Sequence, residues 1–232
     1  MKKFLAVLLT LAVLSFCSIS LAESETADTY LFRSIPWYSA KSDAVESLTG
    51  LDSYSNRSNT TMPDWFQRWN NIDGDYTVDE AGAYVSYRNV SVAGYNADLY
   101  TYYMYPIVDG RVSRNDDNAE FYMAIYEFET LTDMPAVYED LRAKLTDLYG
   151  KSKELNNPDN WTNFTGRLWT AADGSQIWLR NYFMYNSYTL KLTYVAPDAT
   201  SRLEELEAQI TQEKIEAEEL ERQQNSSNTD GL

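Results

Sequence analysis

"VAGYNADLYTYYM" runs from Val92 to Met104, and "AADGSQIWLRNYFM" from Ala171 to Met184. Each places a turn signal, Gly94 in the first and Asp173-Gly174 in the second, beside residues that alternate between apolar and polar, the strongest local mark of a β-hairpin. Working outward from the first, "AYVSYRNVSV" precedes the turn. After "YNADLYTYYMY" comes a loop at "DGRVSRNDDN" and then "AEFYMAIYEFE", which completes a three-stranded antiparallel meander. Outward from the second, "GRLWTAA" leads into the turn, "SQIWLRNYFMY" leaves it, and "YTLKLTYVAP" closes an equivalent meander.

Each meander follows a helix that ends in glycine. Asp133 and Pro135 open the clearer one, Val137, Tyr138, Leu141, Leu145 and Leu148 recur on one face, and Gly150 ends it. In "FRSIPWYSAKSDAVESLTG", Phe32 to Gly50, the residue before Pro36 is pushed out of helical conformation, so the segment begins extended. Ser39 or Ser42 can then cap a short helix with Val45 and Leu48 inward and Gly50 as its stop. Trp37 and Tyr38 are expected to pack beneath that helix against the first meander. Residues 51–63 read as a polar loop, and "PDWFQRWNN" as a helical turn burying Trp65, Phe66 and Trp69. The reading is a diverged duplication of class α+β, with tandem helix plus three-stranded meander units forming one sheet and the helices packed on one face. The units span 32–130 and 131–197.

Beyond Pro197, Asp198 or a Ser201-x-x-Glu204 capping box starts a charged helix over 198–224, with 225–232 as a disordered tail. Leu203, Leu206, Ile210, Ala217 and Leu220 follow a heptad seam that Glu213 interrupts, which favours a solvated helix laid on the domain over a coiled coil.

At the other end, Lys2 and Lys3, an apolar run from Phe4 to Phe16, and Ser20-Leu21-Ala22 form a secretory signal over residues 1–22, followed by a polar leader, 23–31. The apolar run is shorter than the roughly 20 residues that a membrane-spanning helix needs. A lipoprotein acylated at Cys17 is the lesser alternative, because Phe16 stands where a small residue belongs. The chain is expected to be secreted or extracytoplasmic, without membrane insertion after cleavage following Ala22. Removing residues 1–22 takes two lysines and no acids, so the net charge goes from −16 to −18. Such a chain is repelled by nucleic acid and by anionic surfaces. The only cysteine leaves with the signal, so no disulfide remains. Six Asn-x-Ser/Thr sequons, at Asn56, Asn59, Asn89, Asn160, Asn163 and Asn225, carry little weight in a chain with a bacterial-looking signal.

Histidine is absent altogether, which removes Ser-His-Asp and Cys-His nucleophilic systems, histidine general bases and the usual zinc sites. Carboxylate pairs and Ser-Lys dyads remain chemically open, yet no acid stands in a motif separating it from a solvated one. Oxygen ligands cluster at "NNIDGDYTVDE" and "RNDDNAE", but a calcium loop begun at Asn71 puts Tyr76 where glycine is required and Gly82 where the closing glutamate belongs. No catalytic residue, metal site or cofactor is therefore assigned. What stands out is 19 tyrosines and six tryptophans. Separating the faces of each strand puts Phe121, Met123 and Ile125 inward with Tyr122 and Tyr126 opposite. It likewise sets Ile177, Leu179 and Phe183 against Trp178, Arg180 and Tyr182, and Ala97 and Leu99 against Tyr100 and Tyr102. An outward face of Tyr, Trp and Arg has the composition of interface hot spots, although the helices or the terminal segment could equally cover these aromatics, or they could serve simply as strand formers.

The opening "FRSIPWYSAKSDAV" resembles the "F-x-G-I-x-W-G-x-S-x-x-x-V" openings of uncharacterised secreted or lipid-anchored proteins of Gram-positive bacteria, with Tyr38 in place of the second glycine. The helix-then-meander unit is similar to the SmpA/OmlA (BamE-like) envelope proteins and, in tandem, to the β-lactamase inhibitor protein fold. The resemblance implies protein recognition through a curved aromatic sheet face, which falls here on Tyr100, Tyr102, Tyr122, Tyr126, Trp178, Arg180 and Tyr182. The expected function is an exported, non-enzymatic module binding another protein at the cell envelope. A glycan or cell-wall binding module is the alternative, since aromatic faces also stack on sugar rings, and a carboxylate-dependent hydrolase stands third.

Overall fold

The computed structural model describes residues 27–60, 80–128, 133–155, 164–184 and 187–227. In chain order the elements are α1 (Lys41–Ser47), β1 (Asp52–Thr60), β2 (Gly82–Val92), β3 (Tyr95–Met104), β4 (Ile107–Val108), β5 (Arg111–Val112), a 3₁₀ turn (Asp116–Asn118) and β6 (Glu120–Phe128). They continue with α2 (Met134–Tyr149), β7 (Lys153–Glu154), β8 (Thr165–Thr170), β9 (Gln176–Met184), β10 (Ser187–Val195) and α3 (Ala199–Ser227). The architecture is α+β. One antiparallel sheet has the order β1-β2-β3-β6-β10-β9-β8-β7, and β4-β5 form a separate hairpin. The last strands of the two meanders, β6 and β10, pair at its centre from Leu190–Phe128 to Val195–Met123. A single apolar core runs from Tyr30 to Ile210 across both units.

Each unit has one more strand than its sequence suggests. Residues 51–63, expected as a loop, contain β1, which pairs with β2 through two register shifts. "SKELNNPDN", also expected as a loop, contributes β7, which pairs with β8 at Leu168 and Arg167. Both strands lie at sheet edges and are built from polar residues, as edges exposed to water commonly are, so neither shows apolar alternation. The expected loop at "DGRVSRNDDN" is in part the second arm of the β4-β5 hairpin. Asp109 and Gly110 turn it with positive φ at both positions, 50° and 70°, as in a type I′ turn. Ala93 and Gly94 do the same for β2-β3, with φ of 53° and 93°. The helical turn expected at "PDWFQRWNN" lies outside the described residues, as do the signal segment and most of the leader. The C-terminal helix continues into the stretch expected as tail, to Ser227.

Helix α2 starts and stops where expected: the Asp133 carboxylate accepts from the Ala136 N–H at 3.2 Å, and Gly150 closes it at φ 77°. Val137, Tyr138, Leu141 and Leu145 are buried, but Leu148 is exposed, so the core-facing stripe ends one turn early. Helix α1 differs more. Its N-cap is Ala40, with no side-chain cap. A tertiary bond replaces one: the Lys41 N–H donates to the Ala119 carbonyl at 2.7 Å, and the Lys41 ammonium reaches Asp116 at 3.2 Å. Lys41 and Ala44 are its buried residues, Leu48 is buried at its C-cap, and Val45 is half-buried.

The opening segment lies across the sheet. Phe32 sits 5.6–5.9 Å, ring to ring, from Phe121, Tyr126 and Tyr194, and Trp37 stacks on Phe121 at 5.1 Å. Arg33 and Ser34 turn the chain with φ of 48° and 63°, closed by the Ile35 N–H on the Phe32 carbonyl at 2.9 Å, and Tyr38 has φ 62°. Arg33, Ser34 and Tyr38 thus take left-handed backbone, a conformation that glycine adopts without steric cost.

Candidate interaction surface

Cross-strand partners share a face of the sheet. Leu99, Tyr126, Leu192 and Leu179 lie in one row, so Tyr126 points toward the face on which Phe32 packs. Tyr100, Ile125, Thr193 and Trp178 lie in a row on the opposite face, with Tyr102 opposite Met123 and Arg180 opposite Lys191. The expected grouping of Tyr126 with the other aromatics is therefore incorrect. Its cause is a bulge: Tyr102 pairs with Met123, but Tyr103 pairs with Phe121, leaving Tyr122 as the extra residue. Alternation slips there, so Phe121 joins Phe32 and Tyr103 while Met123 faces the other way.

Nor is the second face open at its centre. Tyr122, Trp178 and Arg180 are 4, 2 and 1% exposed, and Tyr126, on the first face, is 3% exposed. Tyr100 and Tyr102 are half-buried, and the side chain of Tyr182 lies outside the described residues. Burial, followed by the neighbouring Tyr102, drives the Tyr122 phenol far above its ordinary range. Arg180 donates to the Thr193 hydroxyl at 3.1 Å and lies 5.7 Å from the Trp178 ring centre. Side chains this enclosed act as core in this conformation and offer a docking partner almost no area.

The accessible apolar side chains gather elsewhere. Helix α3 leaves the end of β10 and passes the place where β3 finishes and β6 begins. Arg202 lies 3.9 Å over the Tyr38 ring and pairs with Glu120, while the Tyr38 hydroxyl donates to the Pro197 carbonyl. Leu203, Leu206 and Ile210 are buried, which anchors the first three turns. The next seam position is Glu213, and the β4-β5 hairpin explains it. One carboxylate oxygen accepts from the Val112 N–H at 2.7 Å and the other from Arg114 at 2.8 Å. Desolvation raises the Glu213 pKa, but the Val112 amide and Arg114 outweigh it and hold the carboxyl below its ordinary range. Gln209 donates to the Gly110 carbonyl at 2.8 Å, and Arg111 pairs with Glu216 at 2.9 Å. The hairpin is thus clipped along one side of α3 over Gln209 to Glu216.

Beyond Glu213, every described side chain from Lys214 to Asn225 is exposed. The seam continues there through Ala217 and Leu220, and Leu220 is 56% exposed. At the hairpin, Val108 is 52% exposed, with Ile107 beside it also open. The seam residues of α3 were legible from spacing. Val108 was not, because Asp109-Gly110 opens the polar run "DGRVSRNDDN", which hides the two-residue strands on either side of the turn.

The other concave and acidic features resolve into structure. A groove of about 400 Å³ at the start of α3 is lined by Gln176, Ser201 and Glu204 among others. Within it, the Gln176 side chain accepts from the Trp178 indole and Ser201 donates to the Asp198 carbonyl. In the acidic "RNDDNAE" loop, Asn115 caps the 3₁₀ turn and Asp116 binds Lys41 and Tyr105. Among the described residues no group of three His, Cys, Asp or Glu side chains could hold a metal ion, and no helix is long and apolar enough to cross a membrane. In comparisons with known proteins, no family model, no curated protein and no solved structure matches this chain.

Proposed function

We propose that the chain is an exported, non-enzymatic binding module that recognises another protein at the cell envelope, and that its contact surface is the outer half of α3 with the β4-β5 hairpin rather than the aromatic sheet face. The observation that carries this reading is the apolar seam of α3, which leaves the body still in register and ends with Ala217 and Leu220 in water. Exposed apolar residues continuing an anchored stripe are a common feature of surfaces that meet partners. Against the upward pull of burial, Asp140, Asp173, Glu213 and Glu216 are held below their ordinary range by hydrogen bonds and, for all but Asp173, by a nearby cation, whereas Glu207 on α3 is raised by burial and then by the neighbouring Glu204. A protein partner is preferred over a glycan because stacking on a sugar ring needs an open aromatic face, and Tyr122 and Trp178 are enclosed.

The test is site-specific photo-crosslinking in cells that export the chain. A crosslinker at Leu220 or Val108 should form a discrete protein adduct, whereas one at Leu148, exposed on α2 away from the seam, should not. Adducts of equal yield at all three positions, or adducts to carbohydrate alone, would overturn the assignment.

A further inference from the structure

Beyond the binding role, we propose that Asp109-Gly110, at the tip of the β4-β5 hairpin, is a site of spontaneous isoaspartate formation, and that the change releases the hairpin's hold on α3. The chain offers an internal comparison, because Asp173-Gly174 is the same dipeptide at the turn between β8 and β9. In both, the following residue lacks a Cβ, so no side chain shields the peptide nitrogen from the aspartate. The two differ in what their reacting atoms already hold.

Asp173 is sealed. Its carboxylate accepts from the Ser175 amide at 2.8 Å and from the Ser175 hydroxyl at 2.7 Å. Its own amide donates to the Asp28 carbonyl at 3.0 Å, and the Gly174 amide donates to the Ala171 carbonyl at 3.1 Å. Asp109 is exposed, and among the described residues its carboxylate has no hydrogen bond or ion pair. The Gly110 amide likewise has no acceptor there, and a Cβ on Gly110 would meet nothing within 4 Å. The contacts that clip the hairpin to α3 engage the Gly110 carbonyl, Arg111, the Val112 amide and Arg114, and leave both reacting groups untouched. Arms of two residues outside the main sheet also open locally at less cost than a turn within the eight-stranded sheet.

The chemistry needs only water. The Gly110 nitrogen attacks Cγ of the protonated Asp109 carboxyl: a C–N bond forms, a C–O bond breaks, and the amide hydrogen leaves with the hydroxyl as water. Water then adds to the five-membered imide and breaks one of its two C–N bonds. Breaking the bond to Cγ restores aspartate, whereas breaking the bond to the backbone carbonyl carbon gives isoaspartate, in which the chain runs through Cβ and Cγ. One atom is thereby added to the backbone of a two-residue turn whose geometry depends on both positions. The Gly110 carbonyl then loses Gln209, and Arg111 loses its place beside Glu216.

The experiment ages the full chain as the cell processes it, native and in concentrated urea, and maps isoaspartate by enzymatic methylation and peptide mass spectrometry. Native protein should accumulate it at Asp109 at least about tenfold faster than at Asp173, whereas in urea the two sites should react alike. Equal native rates, a preference for Asp173, or no isoaspartate at Asp109 while the urea sample becomes labelled would overturn the assignment. So would a preference for Asp109 that persists undiminished in urea, since sequence rather than fold would then be responsible. Asp109→Glu, which cannot close the five-membered ring, should remove the label at that position while its circular dichroism matches the parent. Trypsin cleavage after Arg111 reads the release of α3: it should quicken with age in the parent and not in Asp109→Glu. Ageing that leaves cleavage of the parent unchanged would overturn the release.

Discussion

The two helix-meander units share a plan and differ most at one connection. In the second unit, β9 ends at Met184 and β10 begins at Ser187, so the two strands are joined with almost no intervening chain. In the first, the corresponding connection from Met104 to Glu120 holds the β4-β5 hairpin and the 3₁₀ turn. That insertion is what receives α3, through Val112, Gly110, Arg111 and Arg114. The sheet holds what the two units have in common, while the longer connection of the first makes a place for the terminal helix and the surface beyond it.

The centre of the sheet is where a substitution costs most. If the paired units are one cooperative body with the second face as core, Trp178→Ala should cost about 3–5 kcal/mol and lower the single melting transition by roughly 6–20 °C. Calorimetry showing a loss below about 1 kcal/mol would restore an open aromatic face, and two separate transitions would divide the units.

A smaller effect distinguishes the glycines that open the two meanders. A Cβ at Gly82 would lie 1.8 Å from the Tyr103 carbonyl oxygen, a backbone atom that cannot turn aside. At Gly166 the obstacles are the Phe164 ring at 2.7 Å and the Leu155 Cβ at 2.9 Å. Gly82→Ala should therefore cost about 3 kcal/mol, the upper end for overpacking, and Gly166→Ala about 1–2 kcal/mol. Urea denaturation of both variants checks the order, and reversal would mean that the first unit relaxes more readily than the second.

The smallest effect sharpens the role of the insertion. Glu213 is held below its ordinary carboxylate range when folded. Its contribution is therefore complete above the unfolded pKa, near 4.3 for a free glutamate, and is lost as pH falls through the lower folded value. Glu213→Gln should remove about 0.5–1 kcal/mol near neutrality, a modest figure because its partner Arg114 is solvent-exposed, and should flatten the acid limb of stability below about pH 4. Stability followed against pH in both forms would show parallel acid limbs if the clip contributes nothing.

Much of the fold was legible because local signals and tertiary demand agree. Asp133, Pro135 and Gly150 bound α2, and Asp173-Gly174 turns one hairpin. Where they part, sequence reasoning lost the thread. β1 and β7 hold their places by backbone pairing to a neighbour and need no apolar pattern. The bulge at Tyr122 depends on the register of β3 against β6, which no single strand declares, and it moved Tyr126 to the opposite face. Glu213 was visible only as an irregularity in a heptad. Its reason lies about a hundred residues earlier, at Val112 and Arg114.

The clasp at the start of the chain bears on how the molecule comes together. The Tyr30 amide donates to the Ser175 hydroxyl 145 residues away, and the Tyr38 hydroxyl reaches Pro197 across 159. The leading segment can rest on Phe121 and Tyr126 once the first meander exists, but its closing bonds wait for almost the whole polypeptide, and folds of such long-range connectivity form slowly. Chains cut short before Ser175 would lack those bonds and the Tyr194 ring against Phe32, so an interrupted product holds its leading segment less firmly and is more open to proteolysis, whereas a finished one is locked by its own last arrivals.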